Sequence, residues 1–130
     1  MKNNKKLATE WFRKGDEDEK SIEAILENGA PSTACFLSQQ MVEKYLKGCL
    51  VYYGKPSPRT HDLVTLLNIV KNTDSAFVMF QKNVEILNSY YITTRYPADF
   101  PEGFSQDMAR KALGLAQEIK EFVFNKIFKA

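Results

Sequence analysis

The segment PSTACFLSQQMVEKYLKGCLVYYG, from Pro31 to Gly54, decides the fold of this 130-residue chain. Its apolar residues recur at every third or fourth position, which predicts one long helix from about Ser32 to Tyr53. Pro31 suits the first helical turn because its missing amide hydrogen costs nothing there. Gly54 suits the left-handed residue that commonly follows the end of a helix. We therefore expect this helix to be the central element of the protein.

Helical spacing continues on both sides of this segment. Clusters of glycine and proline separate the periodic stretches, and no alternating pattern typical of a strand exceeds four residues. The sequence therefore predicts an all-α fold, an up-and-down bundle of about five helices in one domain over residues 1–130, with a short third helix across one end. The other predicted helices run over about Lys5–Glu27, from His61 or Asp62 to Lys71, over about Asp74–Tyr91, and from Ser105 to the C-terminus.

The first predicted helix has an apolar stripe interrupted by charge. Residues 13–20 are highly charged, and Gly15 lowers helix stability there by about 1 kcal/mol relative to alanine, so a kink or a solvated turn is expected. Ser105 and either Thr60 or Asp62 are expected to cap later helices. The residues expected to be buried on the first helix are Leu7, Trp11, Ile22, Ile25 and Leu26, with Ala8 and Phe12 beside them.

Composition excludes several classes of function. Lysine and arginine total 18 against 16 acidic residues, so any binding of nucleic acid must come from a local patch rather than from bulk charge. No apolar run approaches a membrane span, and the basic N-terminus lacks the apolar core of a secretory signal. On one helix, Cys35 and Cys49 would lie about 21 Å apart, too far for a disulfide. We expect no metal, no cofactor and a reducing cytoplasm.

A polar stripe runs along the central helix. Gln40, Glu43, Lys44 and Lys47 share one face, with Gln39 beside them, and Glu43 and Lys47 have the spacing of a favourable ion pair. Such a stripe is either a solvated face or a polar seam that meets a partner chain or an anionic ligand.

The segment YYITTRYP, from Tyr90 to Pro97, combines aromatic rings with a cation where a helix must end before proline. A guanidinium offers a planar fork for phosphate, and tyrosine offers a stacking face, so Arg95 could contact a nucleotide or RNA. Alternatively, Arg95 satisfies the free carbonyls of the helix end while the tyrosines pack.

Two further motifs have a structural and a chemical interpretation. His61, in the step Arg59–Asp62, is either a general base or a residue that caps or packs the loop. The acidic run Asp16–Glu19 could bind Mg²⁺, but charged runs in helices usually form a solvated face.

Taken together, these motifs resemble the HEPN domain, the higher-eukaryote and prokaryote nucleotide-binding domain. The resemblance rests on Trp11 in a charged first helix, on CFLSQQMVEKYLKGCLVYYG (Cys35 to Gly54), on THDLVTLL (Thr60 to Leu67) and on YYITTRYP, in the family's order. It implies a helical bundle that commonly forms a homodimer and acts on nucleotides or RNA. Many similar proteins are paired with a minimal nucleotidyltransferase in a toxin–antitoxin-like system, and others are metal-independent endoribonucleases.

The sequence departs from the nuclease pattern of the family, in which an arginine is followed after four to six residues by a histidine. After Arg95 the corresponding positions are Phe100, Pro101 and Glu102, and the single histidine, His61, lies upstream. The endoribonuclease interpretation is therefore disfavoured, because the expected acid–base group is missing.

The leading hypothesis is a homodimeric protein that binds a nucleotide or RNA and acts with a nucleotidyltransferase partner. A pure dimeric interaction module is the remaining alternative. The residues predicted to bind the nucleotide or its phosphate are Arg95, Tyr96, Tyr91, Lys44 and Lys47, with Glu43, Gln40, His61 and Asp99 in support.

Overall fold

The computed structural model describes residues 3–96 and 103–129, and within these residues it contains helices and no strands. The prediction of an all-α helical bundle is confirmed. No helix in this described part is long and apolar enough to cross a membrane. The elements are α1 (Asn4–Asn28), α2 (Pro31–Tyr52), α3 (Leu63–Thr73), a 3-10 helix (Ser75–Phe80), α4 (Gln81–Asn88), α5 (Tyr90–Thr93) and α6 (Gln106–Phe128).

Helix α2 lies at the centre of the bundle, as its sequence predicts. It contacts α1, α3, α4, α5 and α6, and most of its residues from Ala34 to Leu50 are buried. Pro31 occupies the first turn. At the other end Gly54 has a positive φ of 70°, and the amide of Lys55 donates to the carbonyl of Leu50 at 2.8 Å. This is the glycine-terminated helix end that the sequence indicates.

Glycines bring α1 and α2 into close contact. A Cβ atom on Gly15 would lie 2.6 Å from the ring of Tyr45, and one on Gly48 would lie 2.4 Å from the ring of Phe12. The rings of Phe12 and Tyr45 stack with their centroids 5.1 Å apart. The expected kink or solvated turn at Gly15 is therefore wrong: α1 is continuous, and Gly15 is a buried packing position.

The buried face of α1 also differs from the predicted stripe. Leu7 is 49% exposed and Trp11 is only half-buried, whereas Ala8, Phe12 and Ile22 are buried. The physical reason is that the close approach at Gly15 fixes the rotation of α1, which turns the face containing Ala8 and Phe12 toward α2. Leu7 and Trp11 consequently lie at the edge of the interface.

The predicted helix Asp74–Tyr91 is divided into three shorter elements. Its first part is a 3-10 helix, which begins where the Asp74 carboxylate accepts a hydrogen bond from the amide of Ala76. The 3-10 geometry places residues three positions apart on one face, so Phe77 and Phe80 both contact Phe122, at centroid distances of 5.0 and 5.1 Å. Both rings therefore pack on α6 from this short element, which the sequence pattern does not separate from the helix that follows it.

The acidic run on α1 joins helices rather than forming a solvated face. Asp18 pairs with Lys44 on α2 at 2.6 Å, and Asp16 accepts a hydrogen bond from the hydroxyl of Tyr45. Burial raises the pKa of Asp18 and outweighs the opposing effect of the Lys44 ammonium. Glu19 accepts hydrogen bonds from α6, where its partners are Gln117 and Lys120.

Candidate functional site

The ring of Tyr91 on α5 joins two of the motifs found in the sequence. The imidazole of His61, in the loop before α3, stacks on it with a centroid separation of 4.4 Å and an interplanar angle of 16°. The guanidinium carbon of Arg95 lies 4.1 Å from the same centroid. The fold therefore brings a cation, a phenol and an imidazole together at one surface position.

Arg95 lies in the turn that follows α5, where its amide donates to the carbonyl of Ile92 at 3.0 Å. The residue is exposed, and its guanidinium lies within 6 Å of the ring centroids of Phe36 and Tyr96 as well as Tyr91. In the described part of the chain, its side chain makes no hydrogen bond to a helix carbonyl and pairs with no carboxylate. Aromatic contacts orient this group, and residues 3–96 and 103–129 use none of its side-chain donors, which suit an anion.

Two residues of the central helix α2, Glu43 and Gln39, hydrogen-bond His61. Its Nδ1 atom lies 3.0 and 3.1 Å from the two carboxylate oxygens of Glu43, and its backbone carbonyl accepts a hydrogen bond from Gln39 at 2.9 Å. Glu43 and Gln39 are buried, whereas the side chain of His61 is 53% exposed. The histidine therefore has one fixed nitrogen and one face toward solvent.

The polar stripe of α2 is a buried seam beneath this surface. Lys47 Nζ lies 3.0 Å from Oε2 of Glu43, as the spacing of the two residues predicts, and its ammonium lies over the ring of Trp11. Gln40 donates to the side-chain oxygen of Gln39 at 2.7 Å. Gln39, Gln40, Glu43 and Lys47 bond one another beneath His61, so this part of the stripe supports the histidine and is not a solvated face.

A shallow surface depression of about 210 Å³ lies beside His61 and Tyr91, and Asp62, Asn88 and Ile92 complete it. Asp62 caps α3, where its carboxylate accepts a hydrogen bond from the amide of Val64. Burial raises the pKa of Asp62, but hydrogen bonds from Thr65, Val64 and Asn88 outweigh it and leave this pKa below its usual value. The depression is consequently lined by an ionised carboxylate as well as by the imidazole.

The structure brings together most of the residues predicted for the site, namely Arg95, Tyr91, Tyr96, His61, Glu43, Gln40 and Lys47. It does not bring Lys44 there, because that side chain turns to α1 and pairs with Asp18. The positive charge of Lys47 is likewise already neutralised by Glu43. Asp99 lies outside the described residues.

Sequence reasoning did not place Phe36 or Asn88 in the site, and it gave Asp62 a role only as a helix cap. Phe36 lies one turn before Gln39 and Gln40 on α2, so the polar stripe could have been extended to it by helical spacing. Asn88, which donates to Asp62 at 2.9 Å and accepts from the amide of Leu63, carries no motif of its own. Among the described residues, no group of three or more histidine, cysteine or acidic side chains is arranged to hold a metal ion.

The protein is a helical bundle around one long buried helix, with a cation and aromatic rings clustered at its surface. The model of the HEPN domain matches residues 8–127. The chain belongs to the HEPN domain family, which confirms the resemblance seen in the motifs. No curated protein matches the chain.

Two solved structures resemble this one closely. The protein TT1696 from Thermus thermophilus is 30% identical with a TM-score of 0.83, and the match covers 92% of this chain and 97% of that one. ST0689, described as an archaeal HEPN homologue, is 26% identical with a TM-score of 0.75 and the same two coverages. Both therefore share the whole helical bundle.

Proposed function

We propose that this HEPN protein binds a nucleotide or RNA, with the guanidinium of Arg95 as the phosphate contact. The single observation that carries the proposal is that Arg95 is exposed and oriented by Tyr91, with no carboxylate partner among residues 3–96 and 103–129. The two lysines predicted for the site differ from Arg95, since Lys44 and Lys47 are already paired with acids. Tyr96 is 53% exposed and offers a face on which a base can stack.

Equilibrium dialysis against ATP, GTP and a short single-stranded RNA tests this proposal. Arg95→Ala should weaken binding by about tenfold, since hydrogen bonds to a charged group contribute about 1.5–3 kcal/mol. Arg13→Ala, which removes the same charge from the exposed face of α1, should leave binding unchanged.

Thermal melting of the same variants separates binding from folding. Arg95→Ala should remain folded with a melting temperature lowered by only a few degrees, because Arg95 lies at the surface and its close aromatic contact to Tyr91 contributes about 0.5–1 kcal/mol. Unchanged affinity in Arg95→Ala, or a collapse of its melting temperature, would contradict the proposal. Absence of binding to all three ligands would favour the pure interaction module.

We further propose that the protein is a homodimer. Support comes from large apolar side chains exposed on the 3-10 helix and α5, since Val78 is 58%, Met79 63% and Ile92 49% exposed. Sedimentation at micromolar concentration should give twice the chain mass of 14.9 kDa, and a purely monomeric species would remove this claim.

The partner we propose is a minimal nucleotidyltransferase, in a toxin–antitoxin-like pair within a reducing cytoplasm. This rests on the motifs shared with HEPN proteins of such pairs, and the buried free thiols of Cys35 and Cys49 suit a reducing compartment. Expression of the chain alone should slow growth, and coexpression of the nucleotidyltransferase should restore it. Unaffected growth in both cases would contradict the pairing.

A further inference from the structure

We propose that His61 recognises the 2′-hydroxyl of a ribonucleotide whose phosphate is held by Arg95, and that Glu43 positions the imidazole for this contact. The inference rests on the proposed function and narrows its ligand class to ribonucleotides over deoxyribonucleotides. The hydrogen bonding of the imidazole, its exposure and the charges around it support this contact.

In the neutral form of the His61 ring, the hydrogen bond to Glu43 places the proton on Nδ1. This atom lies 3.0 Å from Oε1 and 3.1 Å from Oε2 of Glu43, and the ammonium of Lys47 holds the same carboxylate. An ionised carboxylate can only accept hydrogen bonds, so Nδ1 must be the donor. In the neutral ring this leaves Nε2 as an acceptor, because the bond made by one nitrogen sets the state of the other.

The second ring nitrogen, Nε2, is open to a ligand. The side chain of His61 is 53% exposed, and Nε2 has no hydrogen-bond partner among residues 3–96 and 103–129. Stacking on Tyr91 fixes the imidazole ring, and the hydrogen bond from Gln39 to the backbone carbonyl fixes the main chain of His61. A fixed acceptor open to solvent is suited to a hydroxyl donor.

Charge determines the orientation of the ligand. The depression beside His61 contains the carboxylate of Asp62, and Arg95 contacts the same Tyr91 ring as His61. The negative charge of Asp62 disfavours a phosphate in the depression, whereas the guanidinium of Arg95 favours one. His61 and Arg95 lie 4.4 and 4.1 Å from the same ring centroid, so they flank Tyr91 on opposite faces. A ligand that spans the edge of this ring would place its phosphate at Arg95 and its neutral sugar, with its hydroxyl donors, beside His61.

A contact of this kind has one specific consequence. The 2′-hydroxyl is the group that distinguishes RNA from DNA at a given site, and it can donate to an imidazole nitrogen. An acceptor placed at the sugar discriminates between the two sugars without selecting among bases. The site should then prefer RNA to DNA of the same sequence.

The experiment compares the affinities of a short oligoadenylate and its 2′-deoxy counterpart for the unmodified chain and its variants. The unmodified chain should prefer the ribose form by about fivefold, the equivalent of one hydrogen bond. His61→Ala should lose the ribose preference, measured as the ratio of the affinities for the two oligonucleotides. His61→Gln should retain part of it, because its amide oxygen can take the place of Nε2.

Two further variants separate this role from simple phosphate binding. Arg95→Ala should weaken both oligonucleotides by the same factor. Glu43→Gln should reduce the ribose preference, since a neutral amide no longer fixes the proton on Nδ1. It also leaves the ammonium of Lys47 unpaired, so the readout is the ratio of the two affinities rather than either affinity alone. Thermal melting confirms that each variant remains folded.

Nitrogen NMR provides an independent readout, because His61 is the chain's single histidine and a tag-free sample gives one imidazole signal pair. The free protein should show the Nδ1–H tautomer, and the Nε2 resonance should shift with the ribose oligonucleotide but not with the deoxy form. An Nε2–H tautomer, or equal preference in His61→Ala and the unmodified chain, would overturn the inference.

The outcomes also distinguish this inference from the proposed function. Equal binding of both oligonucleotides to the unmodified chain, with both weakened in Arg95→Ala, overturns the role of His61 and supports the phosphate contact. Absence of binding to either oligonucleotide overturns both.

Discussion

Lys47 Nζ lies 3.0 Å from Oε2 of Glu43, one turn earlier on α2, and the two side chains are only 11% and 8% exposed. Desolvation offsets much of the attraction in a buried ion pair, so the pair by itself adds little net stability. Removal of one partner is different, since it leaves an uncompensated charge in a dry environment. Lys47 is therefore needed to neutralise the buried carboxylate of Glu43, which also bonds His61.

We expect Lys47→Met to lower the free energy of unfolding by about 3 kcal/mol. The methionine retains an apolar stem of similar length, so the loss reflects the unpaired carboxylate of Glu43 rather than a cavity. Urea denaturation monitored by circular dichroism measures the change.

Two controls accompany this variant. Lys82→Met removes an exposed lysine on α4 and should cost less than about 0.5 kcal/mol. The double variant with Glu43→Gln should lose less than Lys47→Met alone, because the stranded charge is gone. A Lys47→Met chain as stable as Lys82→Met would show that Glu43 does not depend on the ion pair.

Gly15→Ala tests the close approach of α1 and α2. Alanine has the higher helix propensity, by about 1 kcal/mol, but its Cβ would lie 2.6 Å from the ring of Tyr45. Because the ring is buried and stacked on Phe12, we expect the clash to win, with a net loss of about 2 kcal/mol in thermal or urea unfolding.

Gly114→Ala on α6 is the matched control. No atom lies within 4 Å of a Cβ built there, so the substitution should stabilise the protein by up to about 1 kcal/mol. If both alanines change stability in the same direction, steric contact at Gly15 is not the cause.

Stability should fall at alkaline pH because buried acidic groups resist ionisation. Burial raises the pKa of the Cys35 thiol from 9.0 to about 11. Burial, together with the acidic groups near Tyr53, raises the pKa of Tyr53 to about 12. Burial also raises the pKa of Cys49. Between the unfolded and folded pKa values the folded state binds more protons, so the free energy of unfolding decreases as the pH rises.

Cys35→Ala isolates one of these groups. A proton that only the folded state retains makes the free energy of unfolding fall by about 1.4 kcal/mol per pH unit. Between pH 9 and about 11, the slope for Cys35→Ala should therefore be shallower than that of the unmodified chain by this amount. Urea unfolding at successive pH values measures the slope, which is independent of any constant loss from the smaller side chain. Identical slopes would mean that the Cys35 thiol ionises as readily in the folded chain as in the unfolded one.

Helices and their ends could be predicted because their signals are local. The periodicity of α2, the proline and glycine at its ends, and the caps at Asp62 and Ser105 depend on nearby residues, and the structure has each of them. The burial of Leu7 and Trp11 could not be assigned correctly, because the rotation of α1 depends on contacts between distant glycines and rings.

The site also has one part that could be predicted from local signals and one part that depends on distant contacts. Arg95 and Tyr91 could be singled out by residue type. Their contact could also be expected, since residues four positions apart are neighbours at a helix end. The contact between His61 and Glu43, 18 positions apart, depends on how α3 packs against α2. Its chemistry, in which a buried carboxylate fixes an exposed imidazole, therefore becomes visible only in the folded chain.

The central position of α2 has a consequence for synthesis on the ribosome. Helix α1 can fold onto α2 as soon as both have emerged, but α6, which begins only at Gln106, covers the remaining side. Until α6 emerges, the apolar face of α2 that it covers stays exposed in the nascent chain. A translational pause before α6 would prolong the interval in which chaperones or neighbouring polypeptides can associate with it.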